Sequence, residues 1–168
     1  MPNFRSPNRT LKKFGKSFYW AKQFLGYSMA KDASRLYRFC RYIDDLADGP
    51  DKTTDELVEV KKNIQSQIGK DHDITLDFLE LKRKYQWSDD VTFALIDGIF
   101  QDTKKVAIKT TKELLRYAYR VAGSVGLMMC PILGCRDSRG LRHAIDLGIA
   151  MQITNICRDV LEDANQDR

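Results

Sequence analysis

Apolar residues recur at intervals of three and four along most of the chain, which is the spacing of a helix that buries one face. No segment shows the strict alternation of a half-buried β-strand, and no internal repeat is visible. The predicted helices cover residues 17–25, 29–47, 54–68, 73–86, 88–105, 111–133 and 138–164. Because the connections between them are short, we expect consecutive helices to pack antiparallel in a single all-α domain over residues 1–168.

Local signals mark several of these helix ends. The run Asp-Gly-Pro-Asp at residues 48–51 predicts the end of the second helix, since glycine and proline continue helices poorly. Thr53 or Thr54, Ser88 and Ser138 are the expected N-caps of the helices that follow them.

Two glycines, Gly123 and Gly126, lie inside the predicted helix 111–133, where each costs about 1 kcal/mol relative to alanine. Close packing against a neighbouring helix would explain them. A locally bent helix that leaves space for a substrate would explain them equally well, and both interpretations stay open at this point.

The second predicted helix carries a polar line beside its apolar stripe. The stripe consists of Met29, Ala33, Leu36, Cys40, Ile43 and Ala47, and one position further on, at the same spacing, come Tyr37, Arg41, Asp44 and Asp48. Each residue turns the helix by about 100°, so the polar line lies at the edge of the buried face rather than on the solvated side.

The last predicted helix repeats this arrangement. Its apolar stripe is Ile149, Ile153, Ile156 and Val160, and one position earlier comes a polar line of Gly148, Gln152, Asn155 and Asp159, which Asp163 continues.

Each polar line therefore ends in two aspartates four residues apart, which stack about 6 Å from each other along one helix face. A carboxylate near a core is costly unless it is paired, hydrogen-bonded or bound to metal. Facing each other across a bundle, the two pairs would form a negative site lined by oxygen. Such a site suits Mg²⁺, with Mn²⁺ as an alternative, better than zinc.

Other candidate ligands are interpreted as ordinary residues. Asp45, Glu162, His72 and His143 are expected at the surface. The four cysteines, which form no CxxC pair, are expected to be buried or half-buried free thiols in a reducing compartment: Cys40, Cys130, Cys135 and Cys157.

Composition limits the classes of partner. The net charge is +5 and the pI about 9.0, which is compatible with nucleic acid, an anionic membrane surface or an anionic small substrate. No run of five or six lysines and arginines occurs, so nucleic acid is not expected. Neither a secretory signal nor an apolar run long enough to span a bilayer is present, so we expect a cytoplasmic protein whose contact with the inner membrane is at most peripheral.

Five blocks of this sequence resemble the squalene/phytoene synthase family. They are Lys16–Tyr19 (KSFY), Leu36–Asp48 (LYRFCRYIDDLAD), Leu95–Gly98 (LIDG), Tyr117–Met129 (YAYRVAGSVGLMM) and Gln152–Asp163 (QITNICRDVLED). They occur in the order found in the family. Either DxxxD motif alone would be a weak signal, but both motifs within these flanking residues are specific.

The resemblance implies an all-α isoprenoid synthase fold with a central cavity, closed in the family by helices that would follow Arg168. It implies that Asp44, Asp48, Asp159 and Asp163 hold Mg²⁺, which in turn holds the diphosphates of two prenyl substrates. It also implies that six further residues contact the diphosphates or line the reacting centre: Ser17, Tyr37, Arg41, Tyr117, Gln152 and Asn155. For Arg120, contact with phosphate and a simply solvated position remain equal alternatives. For Arg158, the equal alternatives are contact with phosphate and a surface ion pair next to Asp159.

The function implied is that of a prenyltransferase that condenses two geranylgeranyl diphosphates head to head, through prephytoene diphosphate, to phytoene in carotenoid biosynthesis. The Tyr117–Met129 block is most similar to bacterial members of the phytoene branch, for which no NADPH is expected. A squalene or dehydrosqualene synthase acting on farnesyl diphosphate is the first alternative. The second is a non-catalytic relative acting in complex assembly, although such relatives usually lose the aspartates. A helical binding module with accidental DxxxD pairs is the third. The length of the prenyl chain and the oligomeric state stay undetermined.

Overall fold

A computed structural model of the protein describes residues 6–48, 54–67, 73–103 and 108–165, without the side chains of Asp48, Asp73, Glu162, Asp163 and Asn165. Every regular element in these ranges is helical, which confirms the all-α fold class. Contacts divide the chain into two compact units, residues 1–87 and 88–168. The expectation of a single domain stays a prediction. No helix in the described ranges is both long and apolar enough to cross a membrane.

The first unit begins with two short helices, of which the hydrophobic pattern predicted only the second. Its elements are α1 (Pro7–Phe14), α2 (Lys16–Ala21), a 3₁₀ turn (Lys22–Phe24), α3 (Tyr27–Asp48), α4 (Thr54–Ser66) and α5 (Asp73–Tyr85). The helix predicted over residues 17–25 corresponds to α2 and the 3₁₀ turn, because the chain tightens from α-helix to 3₁₀ at Lys22, and α1 was not predicted. The predicted stop after Asp48 and the cap at Thr53 lie outside the described residues.

Helix α3 is the centre of the first unit and packs against α1, α4 and α5. Leu36, Phe39 and Ile43 are fully buried, and the Phe39 ring stacks on Phe78 of α5 with 3.8 Å between the ring centroids. Burying each of these side chains contributes about 2 kcal/mol. Met29 does not belong to this core, because the first turn of α3 leaves its side chain 38% exposed.

The second unit consists of α6 (Asp89–Asp102), α7 (Thr111–Ala118), a π-helical segment (Tyr119–Gly123), α8 (Ser124–Ile132) and α9 (Ser138–Asn165). Ser88 is confirmed as the N-cap of α6, since its hydroxyl accepts a hydrogen bond from the Val91 N–H at 3.4 Å. The N-cap predicted at Ser138 was wrong. The Asp137 carboxylate accepts from the N–H groups of Arg139 and Gly140 instead, at 3.0 and 2.8 Å.

Two glycines let α9 lie close to α8 and to the π-helical segment before it. A Cβ atom on Gly126 would lie 2.3 Å from the Ala144 carbonyl oxygen, and one on Gly148 would lie 2.5 Å from the Ala122 oxygen. Both distances are far shorter than van der Waals contact, so the structure favours the close-packing interpretation of Gly126. The predicted helix 111–133 is also interrupted locally, because a π-helical segment ends at Gly123.

The apolar stripe of α9 is only partly covered. Ile149, Ile153 and Ile156 are half-buried, whereas Val160 is 60% exposed. Cys157 is exposed too, so the expectation that all four thiols are buried or half-buried was wrong for this one. Among the described elements of the second unit, none covers this end of α9.

Candidate functional site

One edge of α3 carries three of the predicted site residues, and the junction of α1 and α2 lies against it. Tyr37, Arg41 and Asp44 are half-buried. The Phe18 ring of α2 lies 6.0 Å from the Tyr37 ring, centroid to centroid. A Cβ atom on Gly15 would lie 2.8 Å from Tyr37 Cζ, so a larger residue at this position would displace the Tyr37 ring.

Arg41 organises the charges of this edge. Its guanidinium donates to Asp44 Oδ2 at 3.3 Å and forms an ion pair with Asp45, while its Cζ lies 5.0 Å from the centroid of the Phe14 ring. The side chains of Arg41 and Asp44 keep about a third of their surface in solvent, at 36% and 38% exposed. A charged ligand would therefore have access to both.

Asp45 was wrongly interpreted as a plain surface charge. Its side chain is only 15% exposed, and its Oδ2 is buried without a hydrogen-bond partner among the described residues. Its partner Arg41 lies four residues earlier, a spacing that places two side chains together on a helix. That spacing was the signal from which the pair could have been predicted.

Burial and negative charge also raise two pKa values at this edge. The Tyr37 hydroxyl has a raised pKa, chiefly because burial disfavours its anion, with a further contribution from the Asp44 carboxylate. The same two causes raise the pKa of the Cys40 thiol to about 12. Both groups therefore stay protonated at neutral pH.

The second predicted polar line lies on α9. Gln152, Asn155 and Asp159 are half-buried. Arg158 donates to both carboxylate oxygens of Asp159 at 2.6 Å, which holds the pKa of that carboxyl below its usual value. Of the two alternatives for Arg158, the structure shows the ion pair. The interaction is at the surface, since the Arg158 side chain is 69% exposed.

The other predicted contact residues lie in different surroundings. Ser17 is exposed on α2. The Tyr117 hydroxyl donates to Asp102 of α6 at 3.1 Å, and Arg120 donates to Gln101 at 2.8 Å. Helical spacing does not indicate Asp102 as a partner of Tyr117, because the two residues are 15 positions apart on different helices.

Asp44 and Asp159 are suitable ligands for a hard divalent ion, because such an ion prefers oxygen atoms. Both carboxylates are also partly exposed, so an ion in solvent could reach them. Within the described side chains, no three His, Cys, Asp or Glu residues converge as metal ligands do. The side chains of Asp48 and Asp163, the second member of each pair, lie outside the described set. Both aspartate pairs therefore stay predicted ligand sets. Of the two histidines, His143 is exposed as predicted, and His72 lies outside the described residues.

Residues 11–168 match the family model described as squalene/phytoene synthase. The chain is 33% identical to a 15-cis-phytoene synthase of Paracoccus sp. over 165 residues, covering 91% of this chain and 54% of that relative. It is 28% identical to a 4,4'-diapophytoene synthase of Staphylococcus haemolyticus, covering 99% of this chain and 61% of the relative.

Among solved structures, a dehydrosqualene synthase in complex with ligand matches with a TM-score of 0.88 and 32% identity, over 98% of this chain and 59% of that one. The chain thus spans about half the length of the relatives that it matches.

Proposed function

Because the chain belongs to the squalene/phytoene synthase family, we propose that it takes part in the head-to-head condensation of two prenyl diphosphates. The observation that supports this most directly is the edge of α3. There Arg41 and Asp44 lie side by side, accessible to solvent, within a block of sequence typical of the family. The proposed substrate is geranylgeranyl diphosphate and the product phytoene, since several relatives with 30–33% identity bear that name.

The two aspartate pairs, Asp44 with Asp48 and Asp159 with Asp163, are the proposed ligands of divalent ions, with Mg²⁺ preferred and Mn²⁺ as an alternative. Such an ion, when bound, stabilises the negative charge that develops on a diphosphate leaving group. Asp44 and Asp159 are each paired with an arginine, which orients their carboxylates until a ligand replaces the arginine.

Arg41 is the proposed diphosphate contact on α3. The Asp44 and Asp45 carboxylates hold its guanidinium on one side and the Phe14 ring lies under it. A positioned guanidinium donates two parallel hydrogen bonds to phosphate oxygens with little loss of side-chain freedom. Tyr37, whose raised pKa keeps the hydroxyl protonated, would donate a further hydrogen bond to the same anion. Ser17, Tyr117, Gln152 and Asn155 stay proposed contacts of the substrates.

A dehydrosqualene or squalene synthase is the second candidate. The matching solved structure is named as a dehydrosqualene synthase, and the Staphylococcus relative as a diapophytoene synthase. In that case farnesyl diphosphate would be the substrate, and only the squalene-type product would require NADPH.

Product analysis tests the proposal. The purified chain is incubated with Mg²⁺ and labelled geranylgeranyl diphosphate, and in parallel with farnesyl diphosphate with and without NADPH. We expect phytoene from the first substrate without a reductant. Hydrocarbon from farnesyl diphosphate alone would support the second candidate instead.

Variants connect the product to the site. Asp44→Asn and Asp159→Asn should each lower product formation at least about 100-fold, since each removes a charged ligand from the site at which charge develops. Asp55→Asn, an exposed aspartate in the first turn of α4, is the charge-matched control. Equal product from all three variants would refute the assignment of the two pairs.

A further inference from the structure

Helix α8 ends in a turn that brings its last residues back toward the chain that follows it. The Cys135 N–H donates to the Cys130 carbonyl oxygen at 3.0 Å. Inside this bond, the Gly134 N–H donates to the Pro131 carbonyl oxygen at 3.2 Å, and Gly134 has a φ of 82°, in the left-handed region that favours glycine. This combination is a Schellman motif, a common end of an α-helix.

The Schellman motif brings two particular side chains together, and in this chain both are cysteines. One belongs to the third residue before the helix cap, here Cys130, and the other to the second residue after it, here Cys135. Apolar side chains frequently make this contact. A disulfide spans Cα atoms up to about 7 Å apart, and the 3.0 Å hydrogen bond between the backbones of these two residues keeps their Cα atoms within that limit.

The two thiols lie together against the first turn of α9. The Cys130 thiol donates to the Gly140 carbonyl oxygen at 3.7 Å, and a Cβ atom added to Gly140 would overlap Cys135 Sγ. The two thiols share a hydrogen bond, and the Cys135 thiol also donates to Asp137 Oδ2 at 3.4 Å. Backbone and side chains therefore both bring these two sulfur atoms into contact.

Cys130 and Cys135 differ in their access to solvent. Cys135 is half-buried, whereas Cys130 is only 8% exposed. Burial raises the pKa of the Cys130 thiol, and the contact with Cys135 raises it further. Because the thiolate is the nucleophile and needs access to its target, a reagent in solvent meets Cys135 first, and Cys130 reacts only within the protein.

We propose that Cys130 and Cys135 form a reversible disulfide and are a redox-modification site in the turn between α8 and α9. A small-molecule disulfide is the oxidant. The Cys135 thiolate attacks one sulfur of that molecule, a mixed disulfide forms, and the first small thiolate leaves. Cys130 then loses its proton to solvent, attacks Cys135 Sγ and expels the second small thiolate. The two cysteines thus lose two electrons and two protons, and the small disulfide becomes two thiols.

Oxidation changes the contacts of this turn with α9. Both thiol donors disappear, the one to the Gly140 carbonyl oxygen and the one to Asp137 Oδ2. Asp137 is the residue that caps the first turn of α9 through the N–H groups of Arg139 and Gly140. The start of α9 therefore has different partners in the two redox states. The inference rests on this cysteine contact and does not depend on the proposed activity.

Mass spectrometry tests the proposal without an activity assay. The purified chain is equilibrated with mixtures of reduced and oxidised glutathione and quenched with acid, and every remaining thiol is alkylated after unfolding. The tryptic peptide 121–136 contains Cys130 and Cys135 but neither of the other two cysteines. We expect this peptide to lose two hydrogens and to take up no alkyl group, and excess dithiothreitol to restore both thiols. Two alkyl groups, or glutathione without a bridge, at every mixture would overturn the proposal.

Comparison with the unfolded chain separates a folded site from mere closeness in sequence. In concentrated urea, two cysteines five positions apart still meet, with an effective concentration on the order of 1 mM. The Schellman motif holds the thiols in contact, so the equilibrium constant for bridge formation against glutathione should be at least about 10-fold larger in the folded chain. Equal constants in buffer and in urea would show that the fold contributes nothing and would overturn the proposal.

Serine variants identify the two partners and the order of attack. Cys130→Ser should stop at a mixed disulfide between Cys135 and glutathione. In Cys135→Ser, the buried Cys130 should take up glutathione at least about 10-fold more slowly, since it lacks access to solvent. Equal rates in these two variants would refute the order of attack.

Cys157→Ser is the matched control, because this thiol is exposed and lies outside the turn. It should form the bridge as the unaltered chain does, and loss of the bridge in this control would refute the pairing. Circular dichroism checks that each variant is folded. Cys135→Ser keeps a hydroxyl that can donate to Asp137, so the pairing can be tested even where Cys130→Ser, at a buried position, fails to fold.

Discussion

At Gly126 the lack of a side chain determines how closely α8 can lie to α9. The nearest atoms to an added Cβ are the carbonyl oxygen and carbon of Ala144, which belong to the backbone and cannot rotate away. Gly26, in contrast, has nothing within 4 Å of an added Cβ. The two residues have identical intrinsic chemistry, and only their surroundings differ.

Gly126→Ala should therefore lower the free energy of unfolding by about 3 kcal/mol, because α8 and α9 must separate to admit the methyl group. Gly26→Ala should change it by less than about 1 kcal/mol and is the matched control. Urea unfolding followed by circular dichroism measures both. A Gly126→Ala variant as stable as Gly26→Ala would show that the two helices separate at little cost.

Cys40 and Cys157 also differ in reactivity because their surroundings differ. Cys157 is exposed, while burial and the Asp44 carboxylate raise the pKa of the Cys40 thiol to about 12. The thiolate is the reactive form, so iodoacetamide at neutral pH should alkylate Cys157 and leave Cys40 intact. Mass spectrometry of peptides shows the order of labelling. Faster reaction at Cys40 would contradict this assignment of its environment.

At the scale of elements, α3 and α5 are joined by charges as well as by their core. Arg35 donates to Asp77 at 2.8 Å and to Glu80 at 2.5 Å, and Arg38, only 2% exposed, forms an ion pair with Asp77. A further group connects the same two helices at Asp32, which is 3% exposed and accepts from Lys84 at 2.5 Å and from Tyr85 at 2.7 Å. A buried charge that loses its partner is costly, so these pairs hold the two helices in one register.

The surroundings of Asp32 indicate how the stability of the first unit changes in acid. Burial alone would raise the pKa of this carboxyl, but the hydrogen bonds from Lys84 and Tyr85 outweigh burial, and the folded-state pKa is lowered. A carboxyl whose pKa is lower in the folded protein than in the unfolded chain stabilises the fold at every pH above its unfolded pKa, which is about 3.9 for aspartate. This stabilisation is lost as the pH falls through the lower pKa of the folded state.

Asp32→Asn should therefore destabilise the protein by about 2 kcal/mol at neutral pH and make its stability less dependent on pH below about 4. Glu59→Gln, at an exposed position of α4, should do neither. Thermal unfolding across the acid range compares the two variants. An unaltered pH dependence in Asp32→Asn would exclude Asp32 as the source.

At the scale of the whole molecule, the proposed function predicts linkage between stability and ligand. A ligand that binds the folded state raises the free energy of unfolding by about 2.7 kcal/mol at 100 times its dissociation constant. Mg²⁺ together with inorganic diphosphate should raise the Tm by several degrees, and a chelator should reverse the increase.

Asp44→Asn and Asp159→Asn should each reduce this increase in Tm, whereas Asp55→Asn should keep it. Differential scanning fluorimetry measures all of these without requiring turnover. An unaltered chain whose Tm does not respond to Mg²⁺ and diphosphate would argue against ligand binding at the aspartates even if product were found.

The helical class, most helix boundaries and the position of Arg41 beside Asp44 on α3 followed from the sequence, whereas the two aspartate pairs stay a prediction. These properties depend on neighbours three or four positions apart, and a helix brings such neighbours together whatever surrounds it. Tertiary structure alone decided the partners of Asp32, the contact of Tyr117 with Asp102, the close approach at Gly126 and the exposure of Met29 and Val160. In each case the result depends on which distant segment packs on a given face. Helical spacing identifies the face, and only the packing of the helices shows what covers it.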